Sequence, residues 1–337
     1  MNFNVTVDKR TELLGILLLI SDYNKIFPHL IEELDNKEYR ENIFNRFLQF
    51  KDDKTVKLFN KLINELNLCY DAPVSLFLQL NEDFTYNELE EYPFYNRLQQ
   101  SNLVLEFLNE LPEFARKINF EQFYNDNLAF YQEIIAKTRK DSNADQIMQF
   151  MQDFYKMDFN KNSFKVNLLP YTTNGNFGTT IKNEIGCNLG LKNYSKPFTF
   201  IKENDYGSML LHEFSHSVIN PLTDKNCTFE GEQFADIWEQ MKNMAYASVD
   251  CIVNEHIIRA IQIFHLKNII KTEDSITSAD ARLKRDLKNG FKYMETCVNS
   301  IEYYYNNIDK YSNFEEYYPE ILLNIEKNFN NSLTANN

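Results

Sequence analysis

The chain has 337 residues, of which 43% are hydrophobic and 15% aromatic, and this composition favours a packed globule over a disordered polypeptide. The net charge is −14, and no stripe of Lys and Arg interrupts the acidic sequence, so we expect neither nucleic acid nor an anionic membrane as a partner. The five cysteines are scattered without a C-x-x-C pair, which favours free thiols in a reducing compartment over a disulfide framework.

The first half of the chain has the pattern of successive helices. Its apolar run at 13–20 is too short to span a bilayer, and a polar stretch follows it without a small-residue cleavage site. We therefore expect a buried first helix and a cytoplasmic protein, although a processed secreted form stays open. No Gly/Ser/Pro-rich linker follows, so we expect a helical region, 1–160, packed on a second region, 161–337. Turn and cap signals bound helices predicted at 11–23, 29–50, 53–68, 73–80, 96–117 and 120–138.

The pattern changes near residue 163. Residues 164–169 alternate between apolar and polar side chains, as a half-buried strand does. Residues 172–178 have turn chemistry, 179–189 continue as a strand, and 197–201 predict a further short strand. These segments predict a small sheet that precedes the next helix.

Residues 212–216 read His-Glu-Phe-Ser-His, an H-E-x-x-H motif in a chain with only five histidines. On a helix, residues four apart lie one turn above each other, so the imidazoles of His212 and His216 can face one Zn²⁺. Glu213 then lies beside the open coordination position, where it can take a proton from metal-bound water. The motif therefore predicts the centre of a metallopeptidase.

The surrounding residues predict a helix for this motif over 206–219. Asn204 and Asp205 are candidate N-caps, and Asn220-Pro221 should end the helix. The motif residues cluster near Met209, opposite an apolar face made of Leu210, Leu211, Phe214 and Val218. After Pro221 we predict helices at 229–247, 248–270, 278–306 and 314–330.

A catalytic zinc site needs a third protein ligand, with water in the fourth position. The metzincin pattern H-E-x-x-H-x-x-G-x-x-H is excluded, because residue 219 is Ile and residue 222 is Leu. The thermolysin-like spacing, twenty positions after His216, gives Asp236, in a polar stretch with Glu232 and Glu239.

The other candidate is Glu255, thirty-nine positions after the second histidine, in a helix that is apolar on nearly every side. A carboxylate buried there needs a cation, which is either the metal or Arg259 one turn on. We favour Glu255 as the third ligand, and a plain ion pair with Arg259 stays open as the alternative.

The sequence resembles the bacterial family catalogued as domain of unknown function 4932. The resemblance rests on H-E-F-S-H-S-x-x-N-P at 212–221 and E-x-x-x-R-A at 255–260, with N-G-N-F-G at 174–178 and V-D-K-R-x-E-L-L at 7–14. It spans most of the chain. It implies a gluzincin-like site in which His212, His216 and Glu255 bind zinc and Glu213 is the general base, and it implies no particular substrate.

We therefore predict an α+β fold that is mostly helical, with a zincin-like catalytic region at 161–337. The predicted function is zinc-dependent hydrolysis of peptide bonds with one Zn²⁺ per chain. The scissile carbonyl oxygen needs one further donor, for which Tyr194, Tyr206 and Arg259 are candidates. One alternative is a binding protein with a structural or inactive zinc site, and a weaker one replaces the peptide by another amide.

Overall fold

The protein, described by a computed structural model over residues 2–27, 37–89, 102–172, 175–191, 200 and 208–335, divides into two compact units. The sheet unit comprises Asn2–Ser142 and Asn162–Glu203, and the motif unit comprises Asn143–Lys161 and Asn204–Asn337. The chain passes between the units after residues 142, 161 and 203, so each unit is built from separate stretches of the sequence. The strands, which we expected in the second region, are grouped with the N-terminal helices.

The sheet unit contains a four-stranded mixed sheet in the order β1-β2-β4-β3. Its strands are β1 (Asn2–Thr6), β2 (Ser163–Leu169), β3 (Asn176–Ile181) and β4 (Glu184–Gly190). β2 is parallel to both β1 and β4, whereas β3 and β4 form an antiparallel hairpin. The helices of this unit are α1 (Lys9–Ile20), α2 (Tyr23–Ile26), α3 (Lys37–Phe47), α4 (Lys54–Leu66), α5 (Asp71–Leu78), α6 (Asn102–Lys117), α7 (Phe120–Asp126) and α8 (Leu128–Asp141), with a 3₁₀ turn at Leu48–Phe50.

The sheet differs from the prediction in two places. β1 was not predicted, although Phe3, Val5 and Val7 alternate with polar residues as a strand requires. The single strand expected at 179–189 is a hairpin whose two-residue loop contains Lys182 at φ 53°. Lysine has no preference for this backbone conformation, so the sequence contains no signal for a turn at this position, and the turn was predicted too early, at 172–178. The strand predicted at 197–201 lies outside the described residues, except for Phe200.

Helix α1 is buried along nearly its whole length, as predicted for the apolar run at 13–20. It begins at Asp8, whose carboxylate accepts a hydrogen bond from the backbone N–H of Arg10, an N-cap contact. Glu12 is enclosed with the apolar residues, and its carboxylate accepts hydrogen bonds from the hydroxyls of Tyr39 and Tyr131. Among the described residues, none of the helices combines the length and apolar character that crossing a membrane requires.

The regular elements of the motif unit are all helical within its described residues. Its helices are α9 (Ala144–Tyr155), α10 (Ser208–Asn226), α11 (Trp238–Asn243), α12 (Val249–Phe264), α13 (Glu273–Lys288), α14 (Met294–Asn306) and α15 (Phe314–Ala335), with 3₁₀ turns at Glu232–Phe234 and Ile308–Lys310. A π-helical segment, His265–Ile270, continues α12. α12 forms the centre of this unit because it packs against both α10 and α14, and twelve of its sixteen residues are buried. Together with the small mixed sheet, these helices confirm a mostly helical α+β fold.

Three helices in the motif unit differ from the prediction. The helix predicted at 229–247 is a 3₁₀ turn at Glu232–Phe234 followed by the short helix α11. α10 does not end at Asn220 but continues through Pro221 to Asn226. Proline removes one backbone donor, yet Leu222 and Thr223 extend the buried face and keep the helix packed. The helix predicted at 278–306 is two helices, because Gly290 adopts φ 92° between α13 and α14.

Candidate metal centre

Helices α10 and α12 supply the side chains of the candidate metal centre. The four residues predicted for the apolar face of α10, namely Leu210, Leu211, Phe214 and Val218, are buried, which confirms the predicted orientation of the helix. His212 and His216 are partly exposed, with 14% and 22% of their side-chain surfaces accessible. α12 has the predicted apolar surroundings, and Glu255 is buried within it, also as predicted.

Three donor atoms converge between these helices. Glu255 Oε1 lies 3.4 Å from His212 Nε2 and 3.5 Å from His216 Nε2. In a tetrahedral zinc site with bonds of about 2.0–2.1 Å, two ligand atoms are about 3.3–3.4 Å apart. The measured separations therefore fit a metal ion bound by both imidazoles and one carboxylate oxygen.

Glu213 belongs to the same cluster. Its carboxylate and the ligand nitrogens of the two histidines lie within 4.8 Å of one another, so this group could hold a metal ion. The side chain is buried. The two histidines therefore have two carboxylates near them, those of Glu213 and Glu255.

The second nitrogen of each imidazole is held by a neutral amide. His212 Nδ1 is 3.1 Å from Gln262 Oε1, and His216 Nδ1 is 3.0 Å from Asn220 Oδ1. Gln262 donates its own N–H groups to the carbonyl and hydroxyl oxygens of Ser208, which turns its amide oxygen towards His212. An amide oxygen only accepts, so each Nδ1 carries a proton, and Nε2 is the nitrogen of each ring that could bind a metal.

The second oxygen of Glu255 faces Arg259. Glu255 Oε2 accepts a hydrogen bond from Arg259 Nε at 3.0 Å and forms an ion pair with Arg259 Nη2 at 2.9 Å. The ion pair with Arg259, which the sequence left open as the alternative role of Glu255, is thus present and involves only Oε2. Arg259 also contacts Asp286 Oδ1 at 3.3 Å and the hydroxyl of Tyr246 at 2.9 Å.

The electrostatics of the cluster follow from these contacts. Burial alone would raise the pKa of Glu255, but His212, His216 and Arg259 hold that pKa well below its usual range. Burial would likewise lower the pKa of His216, yet the hydrogen bond and negative charge of Glu255 raise it to about 9. Without a metal, the site therefore retains a proton on an imidazole that a metal must displace.

A buried polar contact joins α10 and α12 near the end of the site. Thr223 of α10 donates to Asn254 Oδ1 of α12, and its hydroxyl also contacts that of Tyr318 in α15. At the other end of the site, Gln262 binds Ser208. Because both contacts cross between the helices, they fix the separation of the two histidines from Glu255.

Of the remaining predicted candidates, the three acidic residues do not join this cluster. Asp236 is exposed and forms an ion pair with Lys292, while Glu232 and Glu239 are also exposed. Tyr194 and Tyr206, proposed as donors to the substrate carbonyl, lie outside the described residues. Arg259, the third candidate donor, directs its guanidinium to Glu255, Asp286 and Tyr246.

Several contact residues were not identified from the sequence. Gln262 could have been found, because it follows Glu255 by seven positions and therefore lies on the same face of α12. Tyr246 and Asp286 come from other segments, and no local spacing connects them to the motif.

Comparison with known proteins identifies a family and nothing closer. The model of the family described as "Domain of unknown function (DUF4932)" matches residues 3–324. A search of curated proteins and a search of solved structures each gave no match.

Proposed function

The chain belongs to the DUF4932 family, and we propose that it is a zinc metallopeptidase that hydrolyses peptide bonds with Glu213 as general base. The observation that carries this proposal is the convergence of His212, His216 and Glu255 at separations suited to one metal ion, with a second carboxylate beside them. A purely structural metal site has no need of a spare carboxylate next to the ion. This argues against the alternative of a binding protein.

The donor set supports zinc. Two imidazoles and one carboxylate are a common ligand set of catalytic zinc, which keeps its fourth position for water or substrate. Iron(II) accepts the same donors. The H-E-x-x-H arrangement, with a glutamate directly after the first histidine, favours hydrolysis by zinc. When bound, zinc lowers the pKa of a water molecule and polarises the carbonyl to be attacked.

The protein side chains have three separate roles in this proposal. Glu213 accepts the proton of the attacking water and passes it to the leaving amine. Gln262 and Asn220 hold the imidazoles in the tautomer that presents Nε2. The partial exposure of both histidines leaves one side of the cluster accessible to a substrate.

The test is the substitution Glu213→Gln. The amide keeps the shape of the side chain but cannot take a proton, so we expect full metal content and a loss of hydrolysis of about 100- to 10,000-fold. Hydrolysis can be followed by mass spectrometry on a mixed peptide library, and metal identity and content by elemental analysis. Glu239→Gln, which changes an exposed glutamate, is the matched control.

Two outcomes would contradict the proposal. Cleavage by Glu213→Gln at the wild-type rate would mean that another group is the base. A wild-type protein that holds one metal per chain and cleaves no member of the library would favour the binding-protein alternative.

A further inference from the structure

The two oxygens of Glu255 have different partners, and this asymmetry has a chemical consequence. Oε1 faces both imidazoles, whereas Oε2 accepts a hydrogen bond from Arg259 Nε and forms an ion pair with Nη2 of the same guanidinium. A carboxylate free to rotate could bind a metal through both oxygens. With Oε2 held by Arg259, only Oε1 remains for the ion.

Arg259 is itself fixed from several directions. Its Nη1 contacts Asp286, whose side chain is 2% exposed, and its Nη2 donates to the hydroxyl of Tyr246. The guanidinium also lies over the ring of Phe291, 4.4 Å from the centroid, at cation–π distance. The partners of the guanidinium lie on α12 (Glu255), on α13 (Asp286) and in the turn before α12 (Tyr246). The guanidinium therefore cannot rotate away from Glu255 without breaking several contacts.

We propose that Arg259, oriented by Asp286, is a positioning residue that makes Glu255 a one-oxygen ligand and so keeps a coordination position open. The proposal rests on the metal site of the proposed function and not on hydrolysis itself. A bidentate carboxylate would occupy the position that the reacting water needs. Arg259 would then act through Glu255 without touching the substrate.

Cobalt(II) is the probe, because its visible absorption reports coordination number: four-coordinate cobalt absorbs more strongly than five-coordinate cobalt. The variants are Arg259→Lys, which keeps the charge but lacks the planar fork, and Asp286→Asn, which keeps the shape but weakens the hold on Arg259. Arg285→Lys is the matched control, since Arg285 also contacts Asp286 but is largely exposed.

We expect wild-type protein and Arg285→Lys to give the same strong cobalt spectrum. Arg259→Lys should give a weaker spectrum and a metal affinity about 10- to 100-fold lower, as for other changes to groups that hold a ligand. Asp286→Asn should weaken the cobalt spectrum and lower the metal affinity too, but by less than Arg259→Lys does. Circular dichroism of each variant establishes that it is folded.

Wild-type spectra and affinity in a folded Arg259→Lys would overturn the proposal, because charge alone would then suffice. X-ray absorption of the wild-type zinc protein gives a test that needs no variant, since a carboxylate bound through both oxygens would overturn it as well. A protein that binds cobalt as expected but cleaves no peptide would refute the proposed hydrolysis and leave this proposal standing. A wild-type protein that binds no metal would refute both.

Discussion

Replacing Glu255 by alanine tests the third ligand most directly. The substitution removes one of three converging donors, so we expect metal affinity to fall about as much as in His212→Ala. It also removes a charge-assisted hydrogen bond and an ion-pair contact from Arg259, which is only 19% exposed. The variant should therefore lose stability as well as metal.

The size of the stability loss can be worked out from the contacts. Removing one partner of a buried ion pair costs about 3–5 kcal/mol. Asp286 remains 3.3 Å from Arg259 after the change, so the cation keeps one anionic neighbour. We therefore expect the free energy of unfolding of the metal-free protein to fall by about 3 kcal/mol, the lower end of this range.

Asp236→Ala is the control for this experiment. The Asp236 side chain is 64% exposed and pairs with Lys292 on the surface, where an ion pair contributes only about 0–1 kcal/mol. Metal content measured by mass spectrometry, together with urea unfolding of the metal-free proteins, separates ligand loss from instability. Full metal in Glu255→Ala with loss in Asp236→Ala would refute the reasoning and move the site to the thermolysin-like spacing.

Two further predictions concern pH. Burial raises the pKa of Glu12 to about 7 despite hydrogen bonds from Tyr39 and Tyr131, so its contribution to folding is complete below about pH 4.5 and is lost as the pH rises through about 7. The free energy of unfolding should fall by about 3 kcal/mol over this pH range, and Glu12→Gln should abolish this fall. Equal pH dependence of urea unfolding in the wild type and the variant would contradict the prediction. Burial would lower the pKa of His216, but the hydrogen bond and charge of Glu255 raise it to about 9. Because metal binding must displace this proton, zinc affinity should increase as the pH rises to about 9. Calorimetry in buffers of different ionisation enthalpy should detect the released proton, and a pH-independent affinity between 6 and about 9 would contradict the assignment.

The sequence predicted those features that depend on periodicity within one element. The buried face of α10, the burial of Glu255 and the exposure of Asp236 follow from the distribution of apolar residues along single helices. The hairpin turn at Lys182 was predicted wrongly because a lysine gives no local signal for a positive φ. The passage of α10 through Pro221 was predicted wrongly because tertiary packing overrides the local preference there.

Contacts between different helices could not be predicted from the periodicity of single elements. Asp286 reaches Arg259 from α13, and Tyr246 reaches it from the turn before α12. Neither residue differs in type or spacing from the many other acidic and aromatic residues of this chain. Only the packing of the helices brings them to Glu255.

The neutral partners of the two histidines determine how much negative charge the protein supplies to a bound cation. A carboxylate at the position of Asn220 or Gln262 would draw the imidazole proton towards itself and make the ring a stronger electron donor. Amide oxygens do this far less, and the one anionic ligand, Glu255, already shares its charge with Arg259. A metal held here would keep most of its positive charge. The same arrangement that would make such an ion a strong Lewis acid would thus make its attachment to the protein comparatively weak.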